Sequence, residues 1–298
     1  MKRHVVHFTM ALWLLMGFTS CEKPLLSDEF NVDPQEEKGL VHLTFQVSSF
    51  EQIPFNQGAI VSRATNVQDI CSHISLALFH DGVKVKSINQ DRSENNFGKI
   101  EVNVSPGSYQ VVVIAHNGEA SATITSPEEV TFAKNKLTDT FYYGKTLEVS
   151  ANQSVELEMK RAVAMFRLIM NDAIPPDVTA IRLYYTGGSS TFNALTGFGC
   201  VNSRQTEDRV VLDAQRSGNA QFEVYTMPHS LTDVLKVTVS ALNAAGEIVF
   251  ERIFDQVPVK LNEITQYKGS FFQGIETVQS NSLTFWTTDQ WSQVEYVF

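Results

Sequence analysis

Cysteine is scarce: three residues in 298, Cys21, Cys71 and Cys200, too few for a disulfide-stapled scaffold. No cluster of Lys or Arg interrupts a chain that carries 33 acidic against 23 basic residues, which argues against nucleic acid as a partner. Beyond the first twenty residues no apolar run approaches the ~20 positions needed to span a bilayer core. Signatures of common enzyme sites are missing as well: there is no Gly-x-Ser-x-Gly elbow, His-Glu-x-x-His, Walker loop or Cys-x-x-Cys. Thr186-Gly187-Gly188-Ser189-Ser190 lacks the lysine of a phosphate cradle and reads as a strand-to-strand loop. The later histidines, His42, His73, His80, His116 and His229, are scattered, and the first three sit in or beside strand patterns as solvent-facing residues. Composition and motifs therefore predict a non-enzymatic chain.

What is present begins at the N-terminus. Lys2-Arg3-His4, the apolar stretch Val5 to Phe18 and Thr19-Ser20 have the order of a secretory signal peptide over residues 1–20. A cysteine stands at the cut, and Phe18-Thr19-Ser20-Cys21 resembles a bacterial lipobox. A thiol can accept a thioether-linked diacylglycerol, and with an added N-acyl chain the lipid on Cys21 would hold the protein on a membrane, at ~0.8 kcal/mol per buried CH₂. No other cofactor is expected. The leader takes two bases and no acids, leaving the remainder at −12 with no basic patch for headgroups, so attachment rests on the acyl chains.

Residues 21–39, with Pro24, Pro34, Asp28-Glu29 and Glu36-Glu37, read as a flexible acidic tether. Alternation of period two starts at Val41, Leu43, Phe45 and Val47 and recurs in Ile74 to Leu78, Val83 to Val85, Ile100 to Val104 and Val155 to Met159. Asp81-Gly82 marks a hairpin. Tyr109 to Ala115 is apolar on both parities, as a strand covered on two sides would be. Ser126-Pro127-Glu128-Glu129 has the form of a capping box and predicts a short helix to about Lys136. A second series follows in Val163 to Met170, Ile181 to Tyr185, Phe222 to Tyr225, Leu235 to Ala241 and Ile248 to Phe254. The fold class expected is all-β, with β-sandwiches at 40–159 and 160–275 and the short helix in the first. Cys71 and Cys200 are expected as buried, unpaired thiols.

An aromatic-rich extension, 276–298, closes the chain. It holds Leu283, Phe285, Trp286, Trp291, Val294, Tyr296 and Phe298, including both tryptophans that follow the leader. Three uses are open for it: a strand given to a partner's sheet, a last strand packed at home, or a platform on which a glycan stacks.

Taken together, the lipobox at Cys21, Arg63-Ala64-Thr65 ahead of the strand at Ile74, Arg161-Ala162-Val163-Ala164, and the run Tyr185 to Asn193 resemble the FimB-type fimbrial anchor lipoproteins, relatives of the fimbrillins of Bacteroides-type bacteria. The resemblance implies two tandem transthyretin-like β-sandwich domains, held by lipid in the outer membrane and exposed at the cell surface at the base of a type V pilus. It also implies fimbrillin stalk subunits as partners, joined by β-strand exchange. A cut between Arg63 and Ala64 would instead make a stalk or tip pilin. A surface glycan-binding lipoprotein is the competing reading. If Cys21 carries the lipid, Cys21→Ala abolishes incorporation of an alkyne-tagged fatty acid and moves the protein from the detergent to the aqueous phase in a cloud-point partition.

Overall fold

The computed structural model describes residues 39–51, 66–273, 284–287 and 292–297. In its first half run β1 (Val41–Phe50), the short helix α1 (Val67–Ile70), β2 (His73–His80), β3 (Val83–Asp91), β4 (Lys99–Val104), β5 (Gly107–His116), β6 (Thr123–Ser126), β7 (Glu129–Thr131), β8 (Thr140–Val149) and β9 (Gln153–Arg161). In the second come β10 (Ala164–Met170), β11 (Val178–Thr186), β12 (Phe192–Asn193), β13 (Phe198–Gly199), β14 (Arg204–Val210), β15 (Ala220–Thr226), β16 (Thr232–Asn243), β17 (Ile248–Lys260), β18 (Ile264–Gly269), β19 (Thr284–Thr287) and β20 (Ser292–Val297). The chain is nearly all β, as its alternation requires.

Seven strands of the first half form one sheet in the order β3-β2-β5-β8-β9-β1-β4. Its two arms close on each other, because Leu43, Phe45, Ile100 and Leu157 from one arm share a core with Ile74, Leu76, Val111 and Phe141 from the other. Asp81 (φ 49°) and Gly82 (φ 75°) turn β2 into β3, the left-handed pair that a tight hairpin needs. The second half has two sheets, β15-β10-β18-β20-β19 and β14-β11-β16-β17, over a core that includes Phe166, Leu168, Leu183, Phe222, Val237 and Val239.

A third core lies between these two. The order β13-β12-β7-β6 makes a small sheet in which Phe192 pairs with Val130. Its cover lets β5 be buried on both faces: Val111 and Val113 point into the first core, Val112 and Ile114 into the third. Ala162 and Val163, the two residues between β9 and β10, are fully buried in that third core.

Two expectations are corrected. Ser126 to Lys136 is a hairpin, not a helix: β6 and β7 flank Pro127-Glu128, and a single 3₁₀ turn, Ala133–Asn135, follows. Ser126 Oγ accepts an N–H as a cap would, but from Glu128 at 3.3 Å, closing a turn. Burial decides it, since Ile124, Val130 and Phe132 all enter the third core. In a helix, Val130 and Phe132 would lie on opposite flanks. Cys71 and Cys200 are both free thiols, and Cys71 is buried as expected, but Cys200 is exposed because it follows the two-residue strand β13 where the chain turns outward.

Of the histidines, His42 is solvent-facing as expected, whereas His73 and His80 are half-buried and His116 is fully buried. Its Nδ1 accepts the Gly118 N–H at 3.0 Å, so the neutral ring carries its proton on Nε2, which is buried with no hydrogen-bond partner. Burial, and then the neighbouring His73, bring His116 down to about 4. A base whose folded value lies below its unfolded 6.5 contributes stability that is present above pH 6.5 and lost as pH falls toward 4. The loss expected over that interval is roughly 3 kcal/mol at 1.36 kcal/mol per unit. Urea midpoints at pH 7 and pH 4.5 measure it, and His116→Gln should flatten the dependence.

Candidate functional site

β1 sits inside its sheet. It pairs antiparallel with β4 from Val41↔Val104 to Gln46↔Lys99, and parallel with β9 from Leu43↔Gln153 to Phe50↔Met159. Leu43 and Phe45 are fully buried and Val47 nearly so. Each such side chain contributes about 1.5–3 kcal/mol by leaving water. Removing β1 would therefore open two ladders and a slot in the first core. The Arg63-Ala64 bond and Cys21 lie outside the described residues.

At the far end of β1 stands Arg161. Its Nε and Nη2 fork onto Asp139 at 2.6 and 2.7 Å, and Nη1 donates to Asn262 Oδ1 at 2.9 Å. Below the guanidinium lies the Phe141 ring, 4.8 Å from Cζ, and Phe50 of β1 meets that ring edge-on at 4.9 Å. The backbone joins in: Glu51 N–H donates to Met159 O at 2.7 Å, and Arg161 N–H donates to the Glu51 carboxylate at 3.2 Å. Burial lowers the guanidinium to about 10, opposed by the hydrogen bonds and charge of Asp139, so it stays cationic at neutral pH. One residue thus connects the exit of β1 through its backbone N–H, and the entry to β8 and the turn before β18 through its side chain.

The run Tyr185 to Asn193 is a packed connection from β11 to β12. Tyr185 Oη donates to the buried Glu207 carboxylate at 2.9 Å. Ser189 Oγ donates to Thr191 O at 2.7 Å and accepts from the N–H groups of Thr191 and Val201. Gly187 has φ 100°, and a Cβ there would strike the Val234 carbonyl. The hydroxyls of Tyr185 and Ser189 are thus both hydrogen-bonded within the fold.

The C-terminal residues form an edge. β20 pairs parallel with β18, from Ile264↔Gln293 to Lys268↔Val297, and β19 pairs antiparallel with β20. Tyr296 stacks on Tyr267 with ring centroids 4.8 Å apart and planes 24° apart. Beside it a cavity of about 450 Å³ is lined by Thr232, Asp233, Lys260, Glu263, Thr265 and Tyr296, among others. Of the residues expected to form a partner strand, Phe285 and Trp286 fall in β19 and Val294 and Tyr296 in β20. Leu283, Trp291 and Phe298 lie outside the described residues. The structure therefore shows β19 and β20 paired on their own chain's sheet.

The model of the family described as fimbrillin-A associated anchor proteins Mfa1 and Mfa2 matches residues 41–251. The chain belongs to this family. The match starts at the first residue of β1, contains Arg161 and the β11–β12 loop, and ends within β17, before β18 and the C-terminal hairpin. Among solved structures the chain is similar to a candidate polysaccharide-binding protein from Bacteroides thetaiotaomicron, with 10% identity and TM-score 0.50 over 71% of this chain and 79% of that one. A candidate adhesin from Bacteroides ovatus shares 12% identity at TM-score 0.49 over 75% and 85%. The fimbrial anchor protein Mfa2 from Porphyromonas gingivalis shares 10% identity at TM-score 0.39 over 72% and 82%. No curated protein matches the sequence. Fimbrial structural proteins, not enzymes, make up this anchor family. It places the chain in a fimbrial complex at the cell envelope.

Family membership does not state what Arg161 does, but its geometry makes a prediction. Asp139→Ala strips a buried guanidinium of its carboxylate and should cost about 3–5 kcal/mol of stability. The double variant Arg161→Met, Asp139→Leu should recover most of that loss, with both read from urea midpoints.

Proposed function

We propose that the protein is a lipid-anchored base subunit of a fimbrium, held in the outer membrane through acylated Cys21. The observation that carries this reading is the position of β1 between β4 and β9. β1 lies on the same side of Arg63 as Cys21, so a chain that keeps its lipid also keeps its first half closed. Such a subunit has no open slot to accept a strand and stops the polymer at its membrane end.

Its attachment to the stalk uses the other end. Among the described residues β20 is bonded to β18 and β19 alone, so the C-terminal hairpin can leave as a unit and expose the edge of β18. An extended strand gains backbone hydrogen bonds and apolar burial when it adds to a neighbour's open sheet. In this role the hairpin is given to the last fimbrillin of the stalk, and Tyr296 exchanges its stack on Tyr267 for a pocket on the partner.

Mass spectrometry of the cell-derived protein tests the anchoring arm. An acylated N-terminus at Cys21 is expected, and a terminus at Ala64 would instead make the chain a stalk or tip pilin. Deleting residues 277–298 tests the strand: fimbriae should be shed into the medium, and normal retention on cells would reject donation while leaving the lipid anchor standing.

A further inference from the structure

The two halves share one arrangement of their terminal strands. In the first, β1 lies between an antiparallel neighbour, β4, and a parallel neighbour, β9, which is the last strand of that half. In the second, β10 lies between antiparallel β15 and parallel β18, with pairs from Met165↔Ile264 to Met170↔Gly269. A tight hairpin cannot make a parallel pair; a long crossover is needed. The repeat of so costly a closure calls for a physical use.

That use follows from where the chain enters and leaves. In a parallel pair the start of the first strand and the end of the last lie at opposite poles. Tension applied there runs along the strands, and every hydrogen bond between them is strained together. Antiparallel terminal strands would put entry and exit at one pole, and the ladder would open one bond at a time. The link between the pairs has no slack: Ala162 and Val163 join β9 to β10 and are both fully buried, and Arg161 is pinned to Asp139 and Asn262 beside them. Asn262 N–H in turn donates to Val163 O at 3.1 Å, at the threshold of β18.

We propose that β1–β9 and β10–β18 are two shear clamps in series that carry tension from the N-terminal end of the chain to its C-terminal half. The direction of the load rests on the anchor reading, in which the membrane pulls on the residues before β1. Shear resistance itself lies in the strand register and does not depend on that reading.

Force spectroscopy on the full chain tests it by changing only the direction of pull on the same bonds. Handles on exposed Leu40 and Lys160 load β1 against β9 along their length; handles on Leu40 and exposed Ser154 load the pair from one end. Urea midpoints matching the unmodified chain show that the handles leave the fold intact. Several-fold higher rupture force for the first pair of handles is expected at equal loading rate. Equal forces in the two geometries would overturn the clamp without touching the N-terminal assignment. A second arm inserts Gly-Gly-Ser-Gly between Ala162 and Val163: rupture of the first half between Leu40 and Lys160 should be unchanged, while pulling from Leu40 to exposed Asn152 should stay weak. A fall of the Leu40–Lys160 force to the unzipping value would also count against a clamp made by β1 and β9 alone.

Discussion

Everything in the first half depends on β1 being seated between β4 and β9. The strand supplies Leu43, Phe45 and Val47 to a core that β2, β5 and β8 approach from the other side. It also lies between β9 and the edge strand β4, so neither neighbour has to expose its ladder on that side. Without it, β9 would become an edge, β4 would lose its partner in the sheet, and a groove would face water. Closure of the first half and continuity with the N-terminal residues are a single covalent condition.

The second dependence is the join between halves. A third core, built around Phe79, Ile114, Val130, Phe192 and Met227, draws residues from both. Arg161 stands at its margin, where a planar guanidinium can satisfy a carboxylate and an amide at once while covering a ring. A lysine could not make that fork. Such a group adds little net stability over a well-packed apolar replacement, but it restricts the alternatives, because any other placement of β9 leaves the charge without its carboxylate.

Much of the architecture was legible because burial on one face imprints period two. β1, the β2–β3 hairpin, β4, β5 and β16 follow from residues such as Leu43, Phe45, Ile100 and Val237. Illegible elements bury polar groups. β14 reads Arg204-Gln205-Thr206-Glu207-Asp208-Arg209-Val210, and its inward position Glu207 is a carboxylate held by Tyr185 Oη. β18 is paired on both edges and buries Thr265 and Gln266, so hydrophobic alternation never marks it. The capping-box pattern at Ser126 misled because a local signal worth about 1 kcal/mol competes with burial of Ile124, Val130 and Phe132. Arg161-Ala162-Val163-Ala164 carried the family resemblance, yet the role of Arg161 was invisible, since Asp139 and Asn262 lie 22 and 101 residues away.

The parallel pairing of β1 and β9 also sets an order in time. His42 N–H bonds Asn152 Oδ1 across 110 positions of sequence. A chain that crosses a membrane from its N-terminus delivers β1 first, well before β9 has emerged. During that interval β1 has no parallel neighbour, and contacts of such separation form slowly. In a chain delivered in that order the first half stays open until β9 arrives, and the ladder that closes it is among the last to form.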